Sequence, residues 1–470
     1  MVERFGWRGA LYGPHMTVSP SPPVRPGADA GVRPERPSVT ELRLSAFAGH
    51  RNAAFPLSPL TLLTGPSGSG KTTALRAYEA LARLGGGARL DEAFPDPHGC
   101  VPEQARPDAQ SRRGFRLGCT ADGPEGPIRL DIAVQVEPEL RIVGERLTSG
   151  GLTLLETALV DPSRPVVQAA WHTAGASPVT RGPLPDDLLG TALLPLRVAG
   201  KTDGQRRVLA AAEQMVVALR SVFACDPRPR RMRAAVPLGS GRLLRGCDNL
   251  ADVLWRTRTE CGRRHAQLVA AVRDGCAGPV ADLLSEAAPG GNGQGDAPRA
   301  ARGLGHGGSH GVSHGRGRGP GHGNGPGHGN GPGHGNGPGQ GNGTGVGHGR
   351  GVGPGLVRAV LDRGDGIRTP LALLGDGELR YLALTLVLFT GPGVLEVDPV
   401  AEVPAALQTL TVLADGLDRC LDPRQRAQLL GVAARMGERG HIRLVGAVSD
   451  ASWAAGVPGA TVVHLDRERS

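Results

Sequence analysis

The chain has 470 residues, enough for two or three domains, and its 53 Lys+Arg against 44 Asp+Glu leave a net charge of +9. That balance admits a polyanionic partner, but aromatics make up only 3% of the chain and the densest basic cluster, DPRPRRMRAA (226–235), contains none, which argues against a base-stacking platform. Seven scattered cysteines form no CxxC pair and no zinc spacing, and no stretch approaches the roughly eighteen apolar residues of a membrane helix, so a cytoplasmic protein with reduced thiols and no membrane segment is expected.

Residues 1–37 are rich in Pro, Gly and Arg, lack the apolar core of a signal peptide and are expected to be a disordered extension. Order is expected over 38–87, the first half of a split core. There VTELRLSAF (39–47) alternates as a strand does, and PLTLLT (59–64) is a short apolar run leading into glycines. Leu75, Tyr78, Leu81 and Ala82 then recur at helical spacing until GGG (85–87) stops the helix.

Residues 88–289 read as an inserted mixed lobe. IRLDIAVQVEPELRIVGERL predicts two strands about a turn at Pro138, and GQRRVLAAAEQMVVALRSVFA predicts a helix. DNLADVLWRTRTECGRRHAQLVAAVRD predicts a second helix with Asp248 or Asn249 as its N-cap, and no heptad pattern is sustained for a coiled coil. Residues 290–355 are low in complexity, with three copies of GHGNGP over 321–338; Gly and Pro at this density bury too little apolar surface to offset chain entropy, so a disordered linker is expected. Its histidines are read as part of that linker rather than as a metal tract. Order resumes over 356–466, the second half of the core.

One stretch carries specific chemistry. GPSGSGKT is a full G-x4-G-K-[ST] match between a predicted strand and a predicted helix. Gly65, Pro66, Ser67, Gly68, Ser69 and Gly70 would curl backbone N–H groups around a β-phosphate at a helix N-terminus. Lys71 would reach the β- and γ-phosphates, Thr72 would ligate Mg2+ and Thr73 would contact the α-phosphate. Only Lys71 and Lys201 are lysines among the 53 cationic residues; a compact ammonium fits inside such a loop where a guanidinium does not. The loop alone would also suit a small-molecule kinase of guanylate-kinase type, which the chain length and a second glycine motif disfavour. That motif, LALLGDGELRYLALTLVLF (371–389), places Gly375, Asp376, Gly377 and Glu378 ahead of an apolar helix, where backbone amides could clamp the γ-phosphate of a nucleotide held by a partner subunit.

The chain therefore resembles the ABC/SMC-superfamily ATPases of the RecF- and OLD-like kind, the AAA-type core ATPases. The resemblance rests on TELRLSAFAGHRNAAFPLSPLTLLTGPSGSGKTTALRAYEALARL for the opening strand, phosphate loop and first helix, and on LGDGELRYLALTLVL for the signature. DPRPRRMR with LLRGCDNLADVLWRTRT resembles the helical lobe, and LTVLADGLDRCLDPRQRAQLL the Walker B, D-loop and following stretch. It implies an α/β P-loop sheet split by the long insertion, ATP and Mg2+ as cofactors, and a head-to-tail homodimer in which the signature acts in trans. It further implies work on DNA or with a partner protein.

The departures concern hydrolysis. The Walker B aspartate is Asp415, preferred for the LDRCLDP behind it, or Asp398; Gly416 or Pro399 then stands where the family has its catalytic glutamate. Asp418 and Glu402 lie at the wrong offsets, Val448 and Ser449 occupy the place of the late histidine, Gly375 replaces the usual signature serine, and the metal-shell glutamine has no counterpart in the sequence. These features imply ATP binding with weak turnover, or alternatively a nucleotide sensor that regulates a partner without useful hydrolysis.

Overall fold

The computed structural model describes residues 36–173, 179–239, 241–288, 355–397 and 408–466. The expectations for residues 1–35, for the glycine/histidine repeat, and for Asp398, Pro399 and Glu402 lie outside the described residues.

The chain opens with β1 (Ser38–Phe47), β2 (His50–Pro56) and β3 (Leu60–Thr64), followed by α1 (Lys71–Gly85) and the short α2 (Leu90–Ala93). Six strands follow: β4 (Arg113–Asp122), β5 (Ile128–Glu137), β6 (Arg141–Ser149), β7 (Leu152–Ala158), β8 (Val166–His172) and β9 (Val179–Pro185). Next come α3 (Gly190–Arg197), α4 (Asp203–Arg220), β10 (Val222–Cys225), α5 (Pro229–Met232), β11 (Val236–Pro237), α6 (Leu250–Glu260), α7 (Gly262–Gly275) and β12 (Asp282–Ala287). After the repeat the elements are β13 (Leu356–Gly364), β14 (Ile367–Pro370), α8 (Asp376–Phe389), β15 (Leu410–Ala414), α9 (Pro423–Glu438), β16 (Ile442–Ala447) and β17 (Ala460–His464).

The fold is mixed α/β, and its centre is a parallel sheet in the order β10-β15-β16-β3-β17. Its central strands LTLLT, LTVLA and IRLVGA are buried at every position, the pattern of strands covered on both faces. Leu63, Leu413, Val445 and Val463 face α1, α4 and the antiparallel sheet, whereas Leu60, Leu62, Val412 and Leu444 face the apolar side of α6 to α9. The antiparallel sheet has eight strands in the order β2-β1-β4-β5-β6-β7-β8-β9. A small third sheet pairs β13 with β11, β12 and β14.

Three sequence expectations are modified. The helix ending in RSVFA stops at Arg220; Val222, Phe223, Ala224 and Cys225 instead form β10, which pairs with β15 in parallel. The single helix after Asn249 is two, α6 and α7, broken at Cys261, whose backbone (φ −147°, ψ 74°) is not helical. Residues 88–289 are shared among all three sheets, since β4 to β9 extend the sheet begun by β1 and β2, β10 is an edge of the parallel core, and β11 and β12 belong to the small sheet. Pairing with chain segments far away decides the first and third of these assignments, and local periodicity does not carry that information.

Candidate functional site

The phosphate-loop sequence lies between β3 and α1, and its glycines hold conformations that other residues resist. Gly65, Gly68 and Gly70 have φ of +150°, +82° and +93°. A side chain at Gly65 would run into the carbonyl of Leu465 at the end of β17, and one at Gly70 into the imidazole of His50. His50 is buried, and its Nε2 lies 3.1 Å from the Gly70 carbonyl oxygen, so β2 supports the loop from beneath. Pro66, Ser67 and Gly68 are exposed at the tip; Lys71, Thr72 and Thr73 are half-buried on the first turn of α1. The Lys71 ammonium turns back onto the carbonyls of Gly65 (2.6 Å) and Pro66 (3.0 Å). The Ser69 hydroxyl is buried and has no hydrogen-bond partner.

Thr72 donates its hydroxyl to both oxygens of Asp415, at 3.1 and 3.0 Å. Asp415 is the first residue beyond β15, and β16 lies between that strand and β3. The structure thus brings together Thr72 and Asp415, the aspartate preferred from the sequence. The next residue, Gly416, has φ +58°, and a Cβ built there would lie 3.2 Å from Nε of Arg419. The position compared with the family's glutamate is therefore left-handed and overlaid by a guanidinium. Asp418 is buried, and its carboxylate accepts the Ser449 N–H at 2.9 Å, which engages the nearest alternative carboxylate in holding the end of β16. Val448, at the other position compared with the late histidine, donates its N–H to the Leu63 carbonyl (2.9 Å).

The second glycine motif caps α8 as the sequence predicts. Gly375 is the N-cap residue, and Glu378 reaches back to its N–H (3.3 Å) and across to the N–H of Ala277 (3.2 Å). Asp376 pairs with Arg233 at 2.7 Å. Gly377 sits so close to the Cys420 carbonyl that a side chain would collide with it, so the motif packs on the loop following Asp415 in the same chain.

Two functional candidates escaped the sequence reading. Arg380, on α8, is almost fully buried and donates to the carbonyls of Pro227 (2.8 Å) and Gly416 (3.0 Å). Burial, with the nearby Arg419 charge, holds its guanidinium below the usual arginine range. Asp226 follows β10 as Asp415 follows β15, and both line a cavity of about 110 Å3 with Thr72. VFACD and LTVLAD share a signal, an apolar strand followed by aspartate, but Asp226 is followed by the Pro/Arg run and reads in the sequence as part of a basic cluster.

No protein-family model matches the chain, and no curated protein matches it. Among solved structures, an SMC head bound to the C-winged helix domain of ScpA is similar over 91% of this chain and 97% of that one, at 10% identity and a TM-score of 0.44. The SMC head domain from Thermotoga maritima is similar over 91% and 98%, at 10% identity and a TM-score of 0.36. The Pyrococcus furiosus Smc head with an extended coiled coil, bound to the C-terminal domain of ScpA, is similar over 91% and 96%, at 8% identity and a TM-score of 0.40.

Proposed function

We propose that the chain binds ATP with Mg2+ at the β3–α1 loop and acts as an ABC-type ATPase head of low turnover. The observation that carries this reading is the contact between Thr72 and Asp415, made from opposite ends of the sequence at the mouth of a left-handed glycine loop. The residues fit the ligand. Ser69 has a buried hydroxyl without a partner, Lys71 spends its ammonium on two loop carbonyls that a phosphate would replace, and the hydroxyl–carboxylate pair is an oxygen donor set suited to a hard cation.

Residues 65–70 with Lys71 and Thr73 would hold the phosphates, and Thr72 with Asp415 would hold the Mg2+, whose chemistry is to neutralise charge between the β- and γ-phosphates. The chain's own residues then bind and orient the nucleotide. Gly375, Asp376, Gly377 and Glu378 would close on the nucleotide of a second copy in a head-to-tail homodimer, in the cytoplasm, with DNA or a partner protein as what the head acts on.

A second reading, a nucleotide sensor without useful hydrolysis, is favoured by Gly416: its φ of +58° and the overlying Arg419 leave no place for the usual base. Single-turnover hydrolysis separates the two. Phosphate release that disappears in Lys71→Ala supports the ATPase; tight ATP binding with no release supports the sensor. Equal ATP binding by wild type and Lys71→Ala would overturn both.

A further inference from the structure

β10 and β15 are parallel neighbours in register, with Cys225 opposite Ala414. The residue that follows each strand is an aspartate, so Asp226 and Asp415 leave the sheet side by side, from strand ends about 5 Å apart by ordinary strand spacing. Both line the cavity that also takes in Thr72, Arg76, Glu79 and Arg245. Glu79 is already paired with Arg245, which fastens the 241–249 loop to α1. Asp226 is not committed in that way: its cationic neighbours, Arg380 and Arg228, stand at 3.9 and 4.0 Å, beyond hydrogen-bond length.

The spacing of the two aspartates is itself held by a side chain. Arg380 donates one terminal nitrogen to the carbonyl of Pro227, the residue after Asp226, and the other to the carbonyl of Gly416, the residue after Asp415. A single buried guanidinium thus braces the two loops from behind.

We propose that Asp226 is a second carboxylate of the metal site, forming with Thr72 and Asp415 a cradle for the divalent cation that accompanies the nucleotide. The inference rests on the reading of the β3–α1 loop as an ATP site. Its chemistry is an oxygen donor set for a hard cation such as Mg2+ or Mn2+, reached by Asp226 directly or through a metal-bound water. Two carboxylates beside a polyphosphate repel it when no metal is present and anchor it when metal is bound, so the cradle makes nucleotide binding steeply metal-dependent. A role limited to balancing the charge of buried Arg380 has no such signature.

The test uses the full chain, the β,γ-imido analogue of ATP, and Mn2+ followed by the electron-spin-resonance signal of the free ion. In Asp226→Asn the Mn2+ concentration for half-saturation should rise about tenfold, while the affinity for the analogue in EDTA, measured by calorimetry, should rise severalfold. Asp226→Glu keeps the charge but shifts the carboxylate by one methylene; it should move the Mn2+ half-point while leaving the EDTA affinity at the wild-type value. An unchanged half-point in both variants, or equal losses with and without metal, overturns the proposal. Failure of the nucleotide reading looks different: wild type would then not bind the analogue, or Lys71→Ala would bind it as well.

Discussion

Arg380 donates to the carbonyl of Gly416 at 3.0 Å, so the helix that carries the second glycine motif is bonded directly to the residue after Asp415. The relationship joins two parts of the candidate site that stand 36 residues apart in the sequence. α8 is also in contact with that loop at its first turn, where Gly377 meets Cys420. Movement of α8 and movement of the Asp415 loop are therefore coupled through a buried charge and a close backbone approach.

Replacing Arg380 with methionine should keep the bulk of the side chain and remove both bonds. A buried carbonyl, that of Pro227, and a half-buried one, that of Gly416, would lose a charged donor, and the cost expected is about 2–4 kcal/mol of unfolding free energy. Urea denaturation measures it. A change below about 0.5 kcal/mol would show that the brace is dispensable for the fold.

The Gly416 position makes an experiment of the missing base. Gly416→Glu places a residue with a side chain at φ +58° and 3.2 Å from Arg419 Nε, so it should lose about 1–2 kcal/mol of stability to backbone strain alone. It should not raise phosphate release, because the carboxylate would be drawn into a pair with Arg419. Gly416→Ala isolates the strain from the charge. A tenfold gain in single-turnover rate by Gly416→Glu would show that only the side chain was lacking.

How much of this was legible in the sequence varies with the range of the interaction that decides it. The phosphate loop was legible because its requirements are local: Gly65, Gly68 and Gly70 are needed for their own φ values, and Lys71 and Thr72 follow at fixed spacing. That the LGDGE stretch opens a helix was legible for the same reason, whereas the bond from the Gly375 N–H to Glu378 was not read from the sequence. β10 was not, because RSVFA continues the helical pattern of α4 without a glycine or proline, and only pairing with β15 makes it a strand. Asp226 gains its meaning from register with Asp415, and Arg380 from two carbonyls on separate loops; neither relation leaves a periodic mark. His50 beneath Gly70 is hidden likewise, since the contact needs the β1–β2 hairpin folded against the loop.

Cysteine reactivity offers a check on both the core and the proposed dimer. Burial pushes the Cys119 and Cys276 thiols up to about 12, and burial with the Asp96 charge pushes Cys100 up to about 11. The hydrogen bond to Cys225, with burial, raises Cys247 well above the usual thiol range. Between pH 7 and 9 these groups hold their protons, and the thiolate is the reactive species, so they should react slowly with a disulfide reagent. Cys420 is exposed in the loop after Asp415 and should react first. If ATP closes a head-to-tail dimer over that loop, ATP should slow the labelling of Cys420 several-fold in wild type and not in Lys71→Ala. A rate indifferent to ATP, in protein that binds it, would sink the dimer reading.

The two ends of the repeat segment meet in the structure. β12 and β13 pair antiparallel from Asp282 opposite Asp362 to Ala287 opposite Val357, and Ala288 N donates to the Leu356 carbonyl at 2.8 Å. The chain leaves and re-enters the small sheet at adjacent points, as it would in an ordinary hairpin. Replacing residues 289–354 with a short Asn-Gly turn should therefore preserve every pairing of β13 with β11, β12 and β14. Closing a loop of about four residues instead of about seventy should stabilise the fold by about 2.5 kcal/mol, because closure entropy grows with the logarithm of loop length. Nucleotide binding should be unchanged, since among the described residues the cavity of Thr72, Asp226 and Asp415 takes no lining residue from β12, β13 or β14. Urea denaturation and calorimetry with the β,γ-imido analogue measure the two outcomes. A variant that folds as well but binds the analogue more than tenfold more weakly would place the repeat within the binding machinery, and loss of folding would show that the β12–β13 pairing depends on it.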